Sequence, residues 1–136
     1  SLDDLMIKNP ITVSPDDDIE LAAMLIYNHK IGGMPVVDDG QLVGIVTATD
    51  MLRAFIDMMG ILSTTSRIDV VLGDQPATFK KAMQIINDHG GDIISVSMTP
   101  QQKSKRVYYF RLSACKTDVI EKALAKEGFD VLAAMD

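Results

Sequence analysis

The chain has 136 residues and a formal net charge of −6, with 47% hydrophobic and 5% aromatic residues. That hydrophobic content is too high for a disordered chain, and an acidic chain lacks the positive surface on which most nucleic-acid binding depends. We therefore expect a folded protein that binds neither DNA nor RNA.

The acidic charge is concentrated in the first part of the sequence. Residues 1–60 hold ten acidic and three basic side chains, a net charge of −7, whereas residues 61–136 have a net charge of +1. The two parts therefore have different surfaces, and we expect them to form separate folding units.

Residues 1–60 are predicted to form a helix-strand-strand-helix unit. Acidic residues at Asp16–Asp18 precede apolar residues at helical spacing, which is typical of a helix start, and Gly32–Gly33 are expected to end that helix. Asp39-Gly40 between two β-branched runs predicts a tight hairpin, and Gly60 is expected to close the second helix. The other predicted elements are an extended piece at 11–13, strands at 34–37 and 41–47, and a helix that begins at 49.

After a non-periodic linker at 61–65, the pattern of elements starts again. Gln75-Pro76 is a typical helix start, and Gly128 lies just past the end of a later helix. The order βαββαβ predicts a ferredoxin-like domain at 66–136. Its predicted elements are strands at 67–72, 92–98, 106–112 and 129–134 and helices at about 76–88 and 117–127.

The stretch Gly44–Asp50 has the features of a nucleoside-phosphate site. Free backbone N–H groups at a helix start attract phosphate, and Thr47 and Thr49 add hydroxyl groups. The two carboxylate oxygens of Asp50 can accept hydrogen bonds from both ribose hydroxyls. The simpler interpretation is that Thr49 or Asp50 only caps the helix, and spacing alone does not decide between the two.

Taken together, these features resemble the CBS motif, named after cystathionine β-synthase. The ordered matches cover nearly all of residues 3–59, and they are specific as a set although each is weak alone. They are Asp4–Val13, Ser14–Asp17, the apolar helix, Ile31–Asp38 and Gly44–Asp50.

The CBS resemblance implies an adenosyl ligand, such as AMP, ADP, ATP or S-adenosylmethionine. It assigns the ribose and phosphate to Thr47, Thr49 and Asp50. It assigns the adenine to the early extended segment and the first strand, which here means Ile11, Thr12, Met34, Pro35 and Val36.

Charge bears on which of these ligands the site takes. A net charge of −7 is unfavourable for a triphosphate, and Lys8 and Arg53 are the basic side chains expected within reach of the site. Both are equally well interpreted as ordinary surface residues. We therefore favour AMP or a nucleoside-like ligand such as S-adenosylmethionine.

The second part of the chain resembles an ACT domain, a dimerising βαββαβ unit that binds amino acids or other small metabolites. The resemblance lies in Val70–Ala77 and Gly90–Val96. Ala77 and Asp92 stand where that family commonly has glycine and asparagine, so a purely structural dimerisation module is the alternative. The residues that the resemblance implies for amino-acid binding are Asp74, Gln75, Pro76, Ala77 and Asp92.

The order of a CBS motif and an ACT domain resembles the C-terminal part of AcuB-type acetoin-utilisation proteins. Those proteins have two CBS motifs before the ACT domain, whereas this sequence contains one. Since the sequence does not begin with methionine, we expect that it starts near the second motif.

Other functional classes lack support in the sequence. No apolar run reaches 18 residues and no signal peptide opens the chain, so we expect a cytoplasmic protein without membrane contact. Cys115 is the single cysteine, and His29 and His89 are interpreted as helix-end residues, so we expect no metal site. No catalytic residue set is evident, and a small enzyme is the least favoured class.

The sequence thus predicts an α/β (α+β) protein made of a CBS domain at 1–60, a linker at 61–65 and an ACT domain at 66–136. We expect a non-catalytic regulatory protein that senses a small metabolite, requires no cofactor, forms a homodimer through either domain and acts on an unidentified partner enzyme. The alternative is a dimerisation scaffold with vestigial ligand sites.

Overall fold

The computed structural model describes residues 1–63, 65–99 and 105–136, and the chain divides into two compact units. We call Ser1–Phe55 the N-terminal unit and Ile56–Asp136 the C-terminal unit. The elements in chain order are α1 (Leu2–Leu5), α2 (Ile19–His29), β1 (Gly33–Asp38), β2 (Gln41–Thr47), α3 (Ala48–Met59), β3 (Thr65–Val71), α4 (Pro76–Asp88), β4 (Ile93–Met98), β5 (Val107–Ser113), α5 (Asp118–Lys126) and β6 (Asp130–Met135).

The limits of the units differ from those predicted. The division lies inside α3, whereas residue 60 was the expected end of the first domain. The strand β3 begins at Thr65, within the expected linker at 61–65. The predicted domain limits and the linker therefore remain predictions.

A tight hairpin forms the centre of the N-terminal unit, as the sequence predicted. Strands β1 and β2 are antiparallel and end in the pair Asp38–Gln41. Both turn residues have positive φ angles, 46° at Asp39 and 77° at Gly40, as the favoured two-residue hairpin turn requires. Val13 adds a single parallel bridge to Val36, so the early extended piece lies beside β1.

The end of α2 differs from the predicted end. Lys30, not Gly32 or Gly33, ends the helix, with φ 52° in the left-handed region, and its N–H donates to the carbonyls of Ile26 and Tyr27. This conformation is uncommon for a residue other than glycine. The prediction therefore placed the end of the helix at the glycines, at least two residues too late. The four-residue helix α1, which Ser1 caps, was not predicted.

The C-terminal unit is a four-stranded sheet with the strand order β4-β5-β3-β6, in which all neighbours are antiparallel. With helices after the first and third strands, this is the ferredoxin-like arrangement that the sequence predicted. Alternate residues of the central strands face the helices and are completely buried, among them the cross-strand partners Ile68 and Phe110. On the opposite face, Arg67 forms an ion pair of 2.6 Å with Asp69.

Each unit has its own apolar core. The core of the C-terminal unit is formed by Ile68, Val70, Leu72, Ala82, Ile86, Phe110, Leu112, Ile120 and Leu124. The core of the N-terminal unit is formed by Val13, Ala22, Ile26, Met34 and Met51. One buried face of each helix contributes to the core of the C-terminal unit, with Ala82 and Ile86 on α4 and Ile120 and Leu124 on α5.

Candidate ligand-binding sites

The turn between β2 and α3 is closed by reciprocal hydrogen bonds between Thr47 and Asp50. The backbone N–H and the hydroxyl of Thr47 both donate to Asp50 Oδ2 at 2.8 Å, and the Asp50 N–H donates to Thr47 Oγ1 at 3.2 Å. This is the geometry of a capping box, so the capping interpretation of these residues holds. Asp50 Oδ2 accepts both of these bonds from Thr47, and Oδ1 takes part in neither.

The same contacts keep Asp50 ionised. The hydrogen bond from the Thr47 side chain, followed by that from the Thr47 backbone, lowers the pKa of the Asp50 carboxyl, and the charge of Arg53 lowers it further. An exposed, ionised carboxylate at this turn is a suitable acceptor for hydroxyl groups.

Thr47 lies beside a small apolar cavity on the outer face of the hairpin. Its cross-strand partner is Gly33, where a Cβ atom would lie 2.7 Å from the Val46 carbonyl oxygen, so the two strands approach too closely for any side chain. Gly33 also lines a cavity of about 230 Å³. The cavity is lined by Ile7, Asn9, Pro10, Ile11, Ile31, Gly33 and Pro35. Two of the predicted adenine contacts, Ile11 and Pro35, are thus brought together next to the predicted ribose contact.

The other predicted adenine contacts lie elsewhere. The side chain of Met34 is 1% exposed and belongs to the core, because it points to the inner face of the hairpin. The adenine contact predicted for Met34 stays a prediction. Val36 lines a different cavity of about 280 Å³ together with Val13 and Met51, and Thr12 is exposed.

The predicted basic residues have partners or lie on the surface. Lys8 forms an ion pair with Asp3 at 2.6 Å, which reduces its availability to a phosphate. Arg53 is exposed on α3, one turn after Asp50, and Thr49 is exposed in the first turn of the same helix. Arg53 therefore brings a positive charge close to Asp50, whereas the charge of Lys8 is shared with Asp3.

Ile45 is a residue that the sequence analysis missed. It is the cross-strand partner of Pro35, so its side chain shares the outer face of the hairpin with the cavity, and it is 69% exposed. The strand alternation contained this signal, since Ile45 and Thr47 are two residues apart and must face the same side.

The C-terminal unit contains a larger cavity, of about 420 Å³, at the start of α4. Three of the predicted amino-acid contacts, Asp74, Gln75 and Pro76, line it, and the apolar residues Phe79, Val96, Met98 and Tyr108 were missed. Val96 and Met98 on β4 and Tyr108 on β5 are distant from α4 in the sequence. Only the folded unit brings them to the same cavity.

Two further predicted contacts do not line this cavity. The Asp92 carboxylate accepts a hydrogen bond of 2.8 Å from the Ser113 hydroxyl and is used within the sheet. Ala77 is exposed and lies outside the lining residues. The structure thus places both residues outside the lining of this cavity, and their predicted role in amino-acid binding stays a prediction.

Among residues 1–63, 65–99 and 105–136, no three histidine, cysteine or acidic side chains lie close enough to hold a metal ion. Over the same residues, no helix has the length and apolar character needed to cross a membrane.

Comparison with known proteins identifies the N-terminal unit. The family profile described as the CBS domain matches residues 2–57. The chain therefore carries a CBS domain, and the resemblance inferred from its motifs is confirmed for this part.

Similar curated proteins include two dehydrogenases and one CBS-domain protein. Inosine-5'-monophosphate dehydrogenase of Thermoplasma acidophilum is 32% identical over 83 residues, which is 61% of this chain and 17% of that enzyme. The enzyme of the same name from Methanocaldococcus jannaschii is 34% identical over 85 residues, which is 62% of this chain and 17% of that enzyme. The CBS domain-containing protein YhcV of Bacillus subtilis is 32% identical over 93 residues, which is 65% of this chain and 66% of that protein.

The chain thus spans less than a fifth of the length of these dehydrogenases. The similarity concerns a CBS-domain regulatory module rather than a catalytic domain.

Proposed function

We propose that this protein is a non-catalytic regulator that senses an adenosyl ligand through its CBS domain. The observation that supports this proposal is the position of Thr47, which bonds to Asp50 and pairs with Gly33 of the apolar cavity. An adenine base can pack its flat aromatic face against apolar walls, and the two ribose hydroxyls can donate to a carboxylate, so the two parts of the site complement a nucleoside.

The charge of the site favours a ligand with few phosphates. Asp50 is ionised, and Lys8 is engaged by Asp3 at 2.6 Å. Arg53 lies one turn after Asp50, and its single charge offsets only part of the repulsion that a triphosphate would meet in a unit with a net charge of −7. AMP or S-adenosylmethionine therefore remains the proposed ligand.

The exposed apolar surface of the N-terminal unit supports self-association. Large apolar side chains that a folded unit would normally cover are more than half exposed. They include Leu2, Leu5, Met6, Ile7, Met24, Tyr27, Leu42, Val43, Ile45 and Leu52. We propose that a second CBS unit covers part of this surface in a homodimer and completes the ligand site.

For the C-terminal unit, we propose an ACT domain that binds a second small metabolite, with amino acids as the class that the resemblance implies. The ferredoxin-like strand order and the cavity beside Asp74, Gln75 and Pro76 support this assignment. The order of the two units also supports a role like that of acetoin-utilisation proteins, with an unidentified enzyme as the regulated partner.

Replacing Asp50 tests the adenosyl proposal. Asp50→Asn retains an oxygen that can accept the capping bonds from Thr47 but loses the charged acceptor, so affinity for AMP or S-adenosylmethionine should fall by roughly tenfold or more. Isothermal titration calorimetry on the full chain measures this affinity. Asp38→Asn, an exposed carboxylate of the same hairpin, is the matched control and should bind as the unaltered protein does. Equal affinities for both variants would reject the assigned role of Asp50.

Light scattering tests the proposed homodimer. At micromolar concentration we expect twice the mass of the chain, because the exposed apolar surface is unfavourable in water. A monomer at that concentration would contradict the proposal.

A dimerisation scaffold with vestigial ligand sites is the second candidate function. The capping use of Asp50 and the sheet bond of Asp92 favour it, since both groups already have structural partners. A thermal-shift screen separates the candidates, because a ligand specific for the folded state raises the melting temperature. No shift with any adenosyl compound or amino acid would favour the scaffold.

A further inference from the structure

The cavity of the C-terminal unit has walls and a rim of different chemistry. Its walls are apolar and partly aromatic, with the rings of Phe79 and Tyr108 packed at a centroid distance of 5.2 Å and with Val96 and Met98 on the edge strand β4. Its volume of about 420 Å³ lies within the range of small-molecule sites. The walls therefore suit an apolar body rather than a polar side chain.

The rim carries the negative charge of Asp74. Asp74 is exposed at the mouth of the cavity, and no hydrogen bond or ion pair joins it to another residue within 1–63, 65–99 and 105–136. A positively charged group on a ligand would form a charge-assisted hydrogen bond there.

The described lining offers little to a negatively charged group. The lining residues that the structure describes include no lysine, arginine or histidine. The start of α4 is also a weak anion site, because Pro76 has no N–H and the N–H groups of Thr78 and Phe79 donate to the Gln75 carbonyl at 3.0 and 3.4 Å. A carboxylate placed near Asp74 would meet repulsion with little compensation.

We infer that this cavity binds a small organic amine with an apolar body, the ammonium group at Asp74 and the body against Phe79, Val96 and Met98. This inference rests on the proposed ligand-binding role of the C-terminal unit and refines its ligand class. The site recognises the amine and the apolar body, and an α-carboxylate adds nothing to the affinity.

The test is isothermal titration calorimetry of the full chain with phenethylamine, 3-methylbutylamine, L-phenylalanine, L-serine and L-aspartate. We expect the two amines to bind, L-phenylalanine to bind no more tightly than phenethylamine, and serine and aspartate to give no measurable heat. Asp74→Asn should weaken amine binding by about tenfold through loss of a charge-assisted bond. Met98→Gln, which places a polar group on the wall, should also weaken it.

Asp88→Asn is the matched control, since Asp88 is an exposed carboxylate at the other end of α4 and lines a different groove. An unchanged melting temperature of each ligand-free variant shows that the fold is kept. Equal amine affinity in the Asp74→Asn and Asp88→Asn variants would overturn the inference.

The remaining outcomes separate this inference from the proposed function. Binding of serine or aspartate that matches or exceeds amine binding would overturn the amine class and leave a metabolite-binding C-terminal unit in place. If none of the five compounds binds, the amine inference and the proposed amino-acid role of this unit both fail. Neither outcome changes the adenosyl proposal, which AMP titration of the same samples checks separately.

Discussion

The two units of this protein differ in how completely they enclose their own cores. Of the nine core residues in the C-terminal unit, Leu72 is 5% exposed and the others are fully buried, whereas four of the five in the N-terminal unit are 6–9% exposed. The N-terminal unit also exposes Leu2, Leu5 and Tyr27 by more than four fifths of their surface. The core residues of the C-terminal unit are therefore more completely enclosed than those of the N-terminal unit.

The difference follows from the number of layers in each unit. Two helices cover one face of a four-stranded sheet in the C-terminal unit, whereas the N-terminal unit has a two-stranded hairpin whose outer face is open. A small unit buries a smaller fraction of its surface, so it gains less from the hydrophobic effect. The small size of the N-terminal unit thus accounts for the less complete burial of its core.

The largest expected loss of stability comes from truncating a core isoleucine, and we expect it to differ between the two units. Ile86→Ala in α4 removes a fully buried side chain and should cost about 4–5 kcal/mol, the upper part of the range for such truncations. Ile26→Ala in α2, where the side chain is 8% exposed, should cost about 2–3 kcal/mol because the surroundings can relax. Hydrogen exchange resolved by mass spectrometry reports the stability of each unit within the intact chain. An equal or larger loss of stability for Ile26→Ala would contradict the difference in core enclosure between the two units.

The next largest effect concerns two glycines of the hairpin that differ in how closely other atoms approach them. Gly33→Ala would place a Cβ atom 2.7 Å from the Val46 carbonyl oxygen, so we expect a loss of about 1–3 kcal/mol in the N-terminal unit. Gly44→Ala on the same hairpin has no atom within 4 Å of its Cβ and should leave the stability nearly unchanged. Chemical denaturation of the two variants measures the difference. If Gly44→Ala is as destabilising as Gly33→Ala, close strand approach is not the reason for the glycine.

The smallest expected effect is on acid sensitivity. It concerns two carboxylates, one in each unit, that each accept hydrogen bonds from a threonine at a helix start. In the C-terminal unit, Asp136 accepts hydrogen bonds of 2.8 Å from Lys116 Nζ and from the N–H and hydroxyl of Thr117, and these contacts hold its pKa well below the ordinary value. In the N-terminal unit, the bonds from Thr47 also lower the pKa of Asp50.

Since both pKa values are lower in the folded state, both carboxylates stabilise the fold above the ordinary aspartate pKa of about 3.9, and this stabilisation is lost as the pH falls below it. Asp136→Asn should therefore reduce the acid sensitivity of the C-terminal unit, and Asp50→Asn that of the N-terminal unit to a smaller extent. Thermal melts between neutral pH and pH 2 measure these slopes. Unchanged slopes in both variants would show that neither bond contributes to acid stability.

Much of the fold was predictable because local chemistry and global packing agree. Asp39-Gly40 formed the expected hairpin turn, and Gly128 takes a positive φ angle of 85° just past α5. The predicted end of α2 was wrong because Lys30 adopts a left-handed conformation that its residue type disfavours. Its backbone N–H bonds to the carbonyls of Ile26 and Tyr27, which only the folded chain shows.

The candidate sites were predictable only in part. Thr47 and Asp50 are close in sequence, so their spacing indicated that they act together, and the CBS family assignment followed from such ordered local motifs. The sequence analysis missed Ile45 and did not predict the buried position of Met34 or the Ser113 bond of Asp92, because these depend on strand faces and on contacts between distant segments.

Residue periodicity, turn chemistry and motif order were enough to predict all but the first helix, the strands and the family of the N-terminal unit, although not every element end. Only the tertiary structure decided which side chains line each cavity, since Phe79 and Val96 come together through the sheet and not through the chain. It also decided that Asp92 bonds within the sheet while Asp74 stands open at a cavity mouth. Contacts between distant segments depend on strand register and packing, and neither is encoded at a fixed spacing along the sequence.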